Sequence, residues 1–245
     1  MIGQSDNKER FAIIFVKDEK LLDEVKYLRG RVFFGRNEKE EDEFDNYSHH
    51  LAVIDNEEGK IIGSYRLLLG SDAKKHSGFY SETEFDLTNI KKNCKGQVLE
   101  MSRACVLSPY RKFPIIKFMW KQIISFMMEN EVKYIFGCPS IENLDPDYVG
   151  KIIAYFKSGC FSADNFRAYP LKEKACKYNP YTGNFDLKEI LSSLPSLIKG
   201  YLKMGALICS EPALDSYFKT VDFFMMLDVE KMNISYRKKF NDKNI

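Results

Sequence analysis

From Phe11 to Val16 an apolar run reads as a first strand, and Asp18 behind it suits a helix N-cap. Leu21, Leu22, Val25, Leu28 and Val32 then recur at helical spacing, predicting an amphipathic helix of about four turns. A loop rich in Asp and Glu covers 37–48. His50–Asp55 and Lys60–Leu69 are β-like runs joined by Asn56-Glu57-Glu58-Gly59, whose glycine suits a hairpin turn. Gln97–Leu107 is a further strand, with Leu99, Met101 and Arg103 on one face and Glu100, Ser102 and Ala104 on the other. After a break at 108–113, Pro114 opens a helix striped with Ile115, Ile116, Met119, Ile123, Phe126 and Met127. Val132–Cys138 is an apolar strand ended by Pro139. Strand, helix, strand in this order is a crossover that sets Gln97–Leu107 and Val132–Cys138 side by side and parallel. Later come a helix at Tyr148–Lys157, a helix within 191–204 starting near Pro195 with Gly205 as its C-cap, and a strand at 220–229. The aromatic, Gly- and Pro-punctuated stretch 158–186 resists assignment. The sum is an α/β fold: a mixed central sheet with helices on both faces.

A chain of 245 residues suits a single domain, with a core at 10–140, a part completing the sheet at 141–230 and a polar tail at 231–245. The net charge of +2 gives nucleic-acid binding no support. Local basic clusters stand out: Lys91, Lys92 and Lys95; Arg111, Lys112, Lys117 and Lys121; and Arg237, Lys238 and Lys239. They are either solvated faces or a docking surface for an acidic partner. The six cysteines lack metal-site spacing with one another or with His49, His50 and His76, so reduced thiols, no metal and a cytoplasmic location are expected. The polar start and the lack of an apolar run near 18 residues predict neither a signal peptide nor a membrane span.

Several charges interrupt this pattern. Asp42 and Asp45 flank Phe44, Arg66 lies inside an apolar strand, and Glu100 and Arg103 lie inside another. Charges on central strands must pair or face a cleft, because an unpaired buried ion costs several kcal/mol. Two readings follow: a buried ion-pair network that ties loops to the sheet, or a pocket that binds an amine and accepts its proton. Glu100, close to the strand break, is the better-placed base.

These residues also carry a resemblance. Arg31-Val32-Phe33, Asp42-Glu43-Phe44-Asp45, His50-Leu51-Ala52-Val53, Gly63-Ser64-Tyr65-Arg66-Leu67-Leu68, Gly78 through Leu87 and Leu99-Glu100-Met101-Ser102-Arg103-Ala104-Cys105-Val106 occur in order. Phe136 to Ser140, Leu194 to Ala206 and Asp215…Phe218…Thr220-Val221-Asp222 extend the match. Together they resemble the ornithine-lipid type of N-acyltransferase, often labelled hemolysin-like. Its wider relatives are the acyl-homoserine-lactone synthases and N-acyl amino acid synthases.

The resemblance implies an acetyltransferase-like (GNAT) fold and transfer of a (3-hydroxy) fatty acyl group to the α-amine of an amino acid such as ornithine, giving lyso-ornithine lipid. It implies no tightly bound cofactor. The acyl group would arrive on the phosphopantetheine of acyl carrier protein, or as acyl-CoA, with contact at the inner membrane face through the lipid product. Glu100 would be the base or proton relay with Arg103 beside it, and His50 is a rival base or a plain strand histidine. Arg31, Asp42, Asp45 and Arg66 would shape the acceptor pocket. Ala104, Cys105, Val106, Arg111 and Lys112 would meet the donor. The stretch Arg111-Lys112-Phe113-Pro114-Ile115-Ile116 lacks the glycines that let a backbone wrap a pyrophosphate, which favours the carrier-protein arm over coenzyme A. Cys105 reads as a buried strand residue rather than a nucleophile, since no partnered histidine and acid accompany it. Alternatives are an autoinducer synthase and a non-catalytic acyl-carrier-binding module.

Overall fold

The computed structural model describes residues 10–184 and 186–233. In chain order the main elements are β1 (Phe11–Phe15), α1 (Glu19–Phe34), β2 (His49–Asp55), β3 (Lys60–Leu69), α2 (Gly70–Ala73), β4 (Phe85–Asp86), α3 (Thr88–Asn93), β5 (Gln97–Val106), α4 (Ile115–Glu129), β6 (Val132–Gly137), β7 (Ser140–Ile141), α5 (Pro146–Gly159), β8 (Tyr169–Pro170), α6 (Leu187–Ser193), α7 (Ser196–Met204), β9 (Leu207–Ile208), β10 (Ala213–Asp215), β11 (Thr220–Asp222) and β12 (Met225–Asp228). They fall into two compact units, residues 1–77 with 99–131 and residues 78–98 with 132–245.

The first unit is built on the antiparallel run β1-β2-β3-β5. Asp18 caps α1 by accepting from the Leu21 N–H at 2.9 Å, and Gly35 ends the helix in the left-handed region at φ 64°. The hairpin turns at Gly59, φ 61°. Val25 and Leu28 of α1 pack with Ala52 and Cys105, so α1 covers the sheet face to which those residues point. The other face belongs to α4: Phe126 lies 5.2 Å from the Phe15 ring and 4.9 Å from the His49 ring. A Cβ on Gly63 would stand 3.3 Å from Ile115 of the same helix.

The second unit holds β6-β12-β9, β10-β11-β7 and β4-β8, each paired antiparallel. Asp145 caps α5, and Phe156 of this helix meets Phe223 edge-on at 5.2 Å. A Cβ at Gly150 would come within 1.9 Å of the Asn179 carbonyl oxygen, so glycine there lets the 171–179 segment cross the helix. The helix expected to start near Pro195 and end at Gly205 is α7, and a separate short helix, α6, ends before it where Leu194 and Pro195 adopt extended ψ. One expectation is corrected. The strand expected at 220–229 breaks at the buried pair Phe223–Phe224, and its halves join different sheets. The Arg237–Lys239 cluster and the polar tail from Lys239 lie outside the described residues. Among those residues no helix is long and apolar enough to cross a membrane.

Candidate active site

Three arginines and three carboxylates close into an alternating ring beneath α1. Arg29 pairs with Asp45 at 2.6 Å, Asp45 with Arg66 at 3.0 Å, and Arg66 with Asp42. Asp42 then pairs with Arg103 at 2.7 Å, Arg103 with Glu40 at 2.9 Å, and Glu40 with Arg29 at 2.8 Å. The charges balance, and five of the six residues expose a tenth or less of their side chains. That balance answers the desolvation cost: each ion keeps two opposite partners in place of water.

Local sequence explains how six charges from separate segments converge. Val25, Leu28 and Val32 define the sheet-facing stripe of α1, and Arg29 lies on it. At Gly30 a Cβ would stand 1.8 Å from the Glu38 carbonyl oxygen, so only glycine lets the acidic loop return against the helix and deliver Glu40. Asp42 caps the short 3-10 turn Glu43–Tyr47 by accepting from the Phe44 N–H at 3.0 Å. Asp45 answers by accepting from the Asp42 N–H at 3.1 Å, so both acids brace the loop and the ring at once. On β3, Ser64 pairs with Cys105 and Arg66 with Ser102, which leaves one extra residue on β5. This bulge carries Arg103 at φ 54°, an uncommon conformation for a side-chain-bearing residue, and turns its guanidinium toward Glu40 and Asp42.

Burial alone would raise the Asp45 pKa; the Arg29 hydrogen bond and the fields of Arg29 and Arg66 outweigh it and hold the carboxyl well below its ordinary range. His50 sits against the ring with Nε2 3.0 Å from the Asp45 carbonyl oxygen. A carbonyl only accepts, so Nε2 carries the proton, and the buried Nδ1 has no hydrogen-bond partner among the described residues. Burial lowers the His50 pKa to about 4, which makes it a weak base at neutral pH. Glu100 is 1% exposed and sits opposite Leu68, two positions from Ser102 and so on the ring's sheet face. Its charge, with those of Glu43 and Asp42, adds to burial in raising the Tyr47 phenol.

The expected acceptor residues Asp42, Asp45 and Arg66 therefore come together, but they bind one another. Arg31 does not join them. It is exposed and donates to Asn37 Oδ1 at 3.2 Å, because two residues along a helix turn it by about 200° from Arg29. Sequence reasoning missed Arg29 and Glu40; the signal available was a glycine beside an arginine on the apolar stripe.

Along the donor stretch Ala104 is half-buried and Cys105 is buried. The Cys105 sulfur lies 3.2 Å from the Ser64 hydroxyl, and burial pushes its thiol up to about 11. Arg111 reaches back to donate from Nε to the Val106 carbonyl at 3.0 Å, clamping the end of β5. Lys112 places its ammonium 5.3 Å from the Phe113 ring centre. Both are exposed, and α4 starts behind Pro114 with no side-chain cap on its first turn.

Residues 28–121 match the acetyltransferase (GNAT) domain family. The L-ornithine N(alpha)-acyltransferase of Brucella abortus (strain 2308) is 30% identical over 228 residues, covering 85% of this chain and 81% of the relative. The enzyme of the same name from Agrobacterium fabrum (strain C58 / ATCC 33970) is 26% identical, covering 88% and 80%. Among solved structures, FeeM, an N-acyl amino acid synthase from uncultured soil microbes, superposes with a TM-score of 0.53 at 8% identity, covering 91% of this chain and 92% of that one. The α/β fold with its bulged strand is thus the GNAT fold, and the chain belongs to the family of L-ornithine N(alpha)-acyltransferases.

Proposed function

We propose that this acyltransferase moves a fatty acyl group from the phosphopantetheine thioester of acyl carrier protein onto the α-amine of ornithine, giving lyso-ornithine lipid. The observation that carries the reading is the 30% identity with an ornithine N-acyltransferase across 85% of the chain, which takes in both units. The site's chemistry supports it. The amine nitrogen attacks the thioester carbon, the C–S bond breaks, and the carrier thiol leaves with a proton. Glu100, buried on the ring's face of β5, takes the proton that the attacking ammonium sheds. A main-chain N–H in the Cys105–Val106 stretch holds the tetrahedral oxyanion. Arg111 and Lys112 meet the single phosphate of the carrier arm or the acidic carrier surface.

The ring's part is to position. Arg29, Glu40, Asp42, Asp45, Arg66 and Arg103 lock the acidic loop and the β5 bulge, which fixes the backbone between Glu100 and Val106. The reading places the chain in the cytoplasm, touching the inner membrane face through its product. The test is acyl transfer in vitro with 3-hydroxyacyl carrier protein and ornithine, followed by mass spectrometry. N-acylornithine is expected from the native chain, and a loss of roughly a hundredfold or more in kcat with retained folding from Glu100→Gln. Failure of the native chain to acylate ornithine from either thioester overturns the function, while full activity in the variant removes Glu100 from the chemistry.

A further inference from the structure

Acylating an ammonium removes two of its three N–H protons: the carrier thiol leaves with one, and the other must reach water before the next turnover. On the reading above Glu100 takes that proton, yet it is only 1% exposed. The ring beside it offers no way out. Arg29, Arg66 and Arg103 keep their protons, Asp45 stays ionised, and the Asp45 carbonyl holds the proton on His50 Nε2. The 3-10 turn Glu43–Tyr47 supplies a different neighbour. It ends two residues before His49, which pairs with Leu67 on β3, and the next β3 residue, Leu68, pairs with Glu100. Tyr47 therefore comes to the end of the sheet where Glu100 sits. Burial raises its phenol, the Ser77 hydrogen bond opposes the rise, and the charges of Glu43, Asp42 and Glu100 add to it, so the hydroxyl lies in the fields of all three carboxylates. From there the contacts run outward. Tyr47 is half-buried and its hydroxyl is hydrogen-bonded to the Ser77 side chain. Ser77 is exposed and donates from Oγ to Glu43 Oε2 at 2.6 Å, and Glu43 faces water. The His76 ring lies flat on Tyr47, with centroids 4.5 Å apart and planes 12° from parallel, which holds the phenol in place.

We propose that Tyr47, Ser77 and Glu43 form the path by which the proton collected by Glu100 reaches water. This rests on the reading of Glu100 as the base. The Glu100 carboxyl O–H bond breaks as its proton goes to the Tyr47 oxygen. The Tyr47 hydroxyl's own proton passes to the Ser77 oxygen, the Ser77 proton passes to Glu43, and Glu43 releases it to water. Each hydroxyl gains one proton as it loses one, so neither is left charged, and Glu100 returns to a carboxylate. Rotation of the two hydroxyls then resets the path. Hydroxyls suit this role because each both accepts and donates, and a group that only passes a proton on need not hold it. Tyr47 acts through Glu100 and not on the substrate.

The experiment follows acyl transfer from 3-hydroxyacyl carrier protein to ornithine in the native chain, Tyr47→Phe and Ser77→Ala, with imidazole added at rising concentration as a diffusible proton carrier. Tyr47→Phe keeps the ring on His76 and loses only the hydroxyl, so its melting temperature should stay near the native one. Its kcat should fall roughly tenfold with KM for ornithine within about twofold, and imidazole should restore most of the loss while leaving the native rate unchanged. Ser77→Ala should show the same pattern with a smaller loss. A native kcat in Tyr47→Phe overturns the proposal. So does a loss that imidazole does not repair, which would make Tyr47 a packing residue only. The link to Glu100 has a readout that needs no turnover. With the tyrosines labelled at Cζ, the resonance missing from Tyr47→Phe belongs to Tyr47, and its titration should move to lower pH in Glu100→Gln, since that charge raises it. An unmoved titration also overturns the path. A native chain that makes no acylornithine takes down the reading of the reaction and the path together, whereas an active native chain with an indifferent Tyr47→Phe takes down the path alone.

Discussion

At the scale of single residues, burial decides more than residue type. His50 has an imidazole beside a carboxylate, yet desolvation wins and its pKa falls to about 4. The unfolded imidazole takes its proton near 6.5 and the folded one only near 4. Stability from this residue is therefore complete above about 6.5 and is lost as the pH drops toward 4, by about 3 kcal/mol in all. Asp45 acts in a lower window, since its depressed carboxyl contributes stability present above 3.8 and lost below it. Urea unfolding from pH 7 to 4 should show a falling stability that His50→Gln flattens; an unchanged slope in the variant would assign the pH dependence elsewhere. Cys105 follows the same rule. With its thiol pushed up to about 11 it stays protonated at neutral pH, which makes it a poor nucleophile. Cys105→Ala should keep kcat within about threefold, and an acylated Cys105 trapped from the native chain would contradict this.

At the scale of elements, β5 and α1 were readable because their apolar positions repeat at about 2 and 3.6 residues, β3 because it is a largely apolar run buried on both faces, and the Asp18 cap because its chemistry is local. Of the charges that interrupt those patterns, Arg66 and Arg103 belong to the ion-pair ring, and Glu100 is buried on the same strand as Arg103. Partners were harder, since they depend on how a loop folds back. The clash at Gly30 that brings Glu40 to Arg29 and the bulge that turns Arg103 have no period in the sequence. Arg29 and Arg31 share a residue type, and their opposite fates separate the two readings of the ring. Asp45→Asn leaves three guanidinium groups facing two carboxylates and should cost about 3–5 kcal/mol in urea unfolding, as breaking a buried pair does. Arg31→Ala, at an exposed position, should fall within about 0.5 kcal/mol. Equal effects from the two would mean that the ring does not brace the loop.

At the scale of the molecule, the first unit follows its sequence pattern closely, whereas the second departs from it at 223–224, where tertiary pairing rather than periodicity sets element ends. A buried cluster of Glu84, Asp215 and Asp222 escaped for a related reason: its members lie 131 and 7 residues apart in sequence and meet only in the folded unit. Surface charge, by contrast, survives folding unchanged. Arg111, Lys112, Lys117 and Lys121 are all exposed around the start of α4, close to the end of β5 where the thioester is proposed to arrive. A net charge of only +2 gives the whole chain little long-range pull, so a local basic patch must do the steering. An acidic carrier protein would feel that patch, and a free coenzyme A thioester would feel chiefly its phosphate contacts near Arg111 and Lys112. Reversing Lys117 and Lys121 together to Glu should raise KM for acyl carrier protein roughly tenfold at low salt, with kcat unchanged. The gap between native and variant should narrow near 0.5 M salt, where the Debye length shrinks to about 4 Å. For acyl-CoA the same substitutions should change KM by less than about twofold. Steady-state kinetics with both donors measures this, and an equal rise for the two, or none for the carrier, would remove the patch from donor recognition.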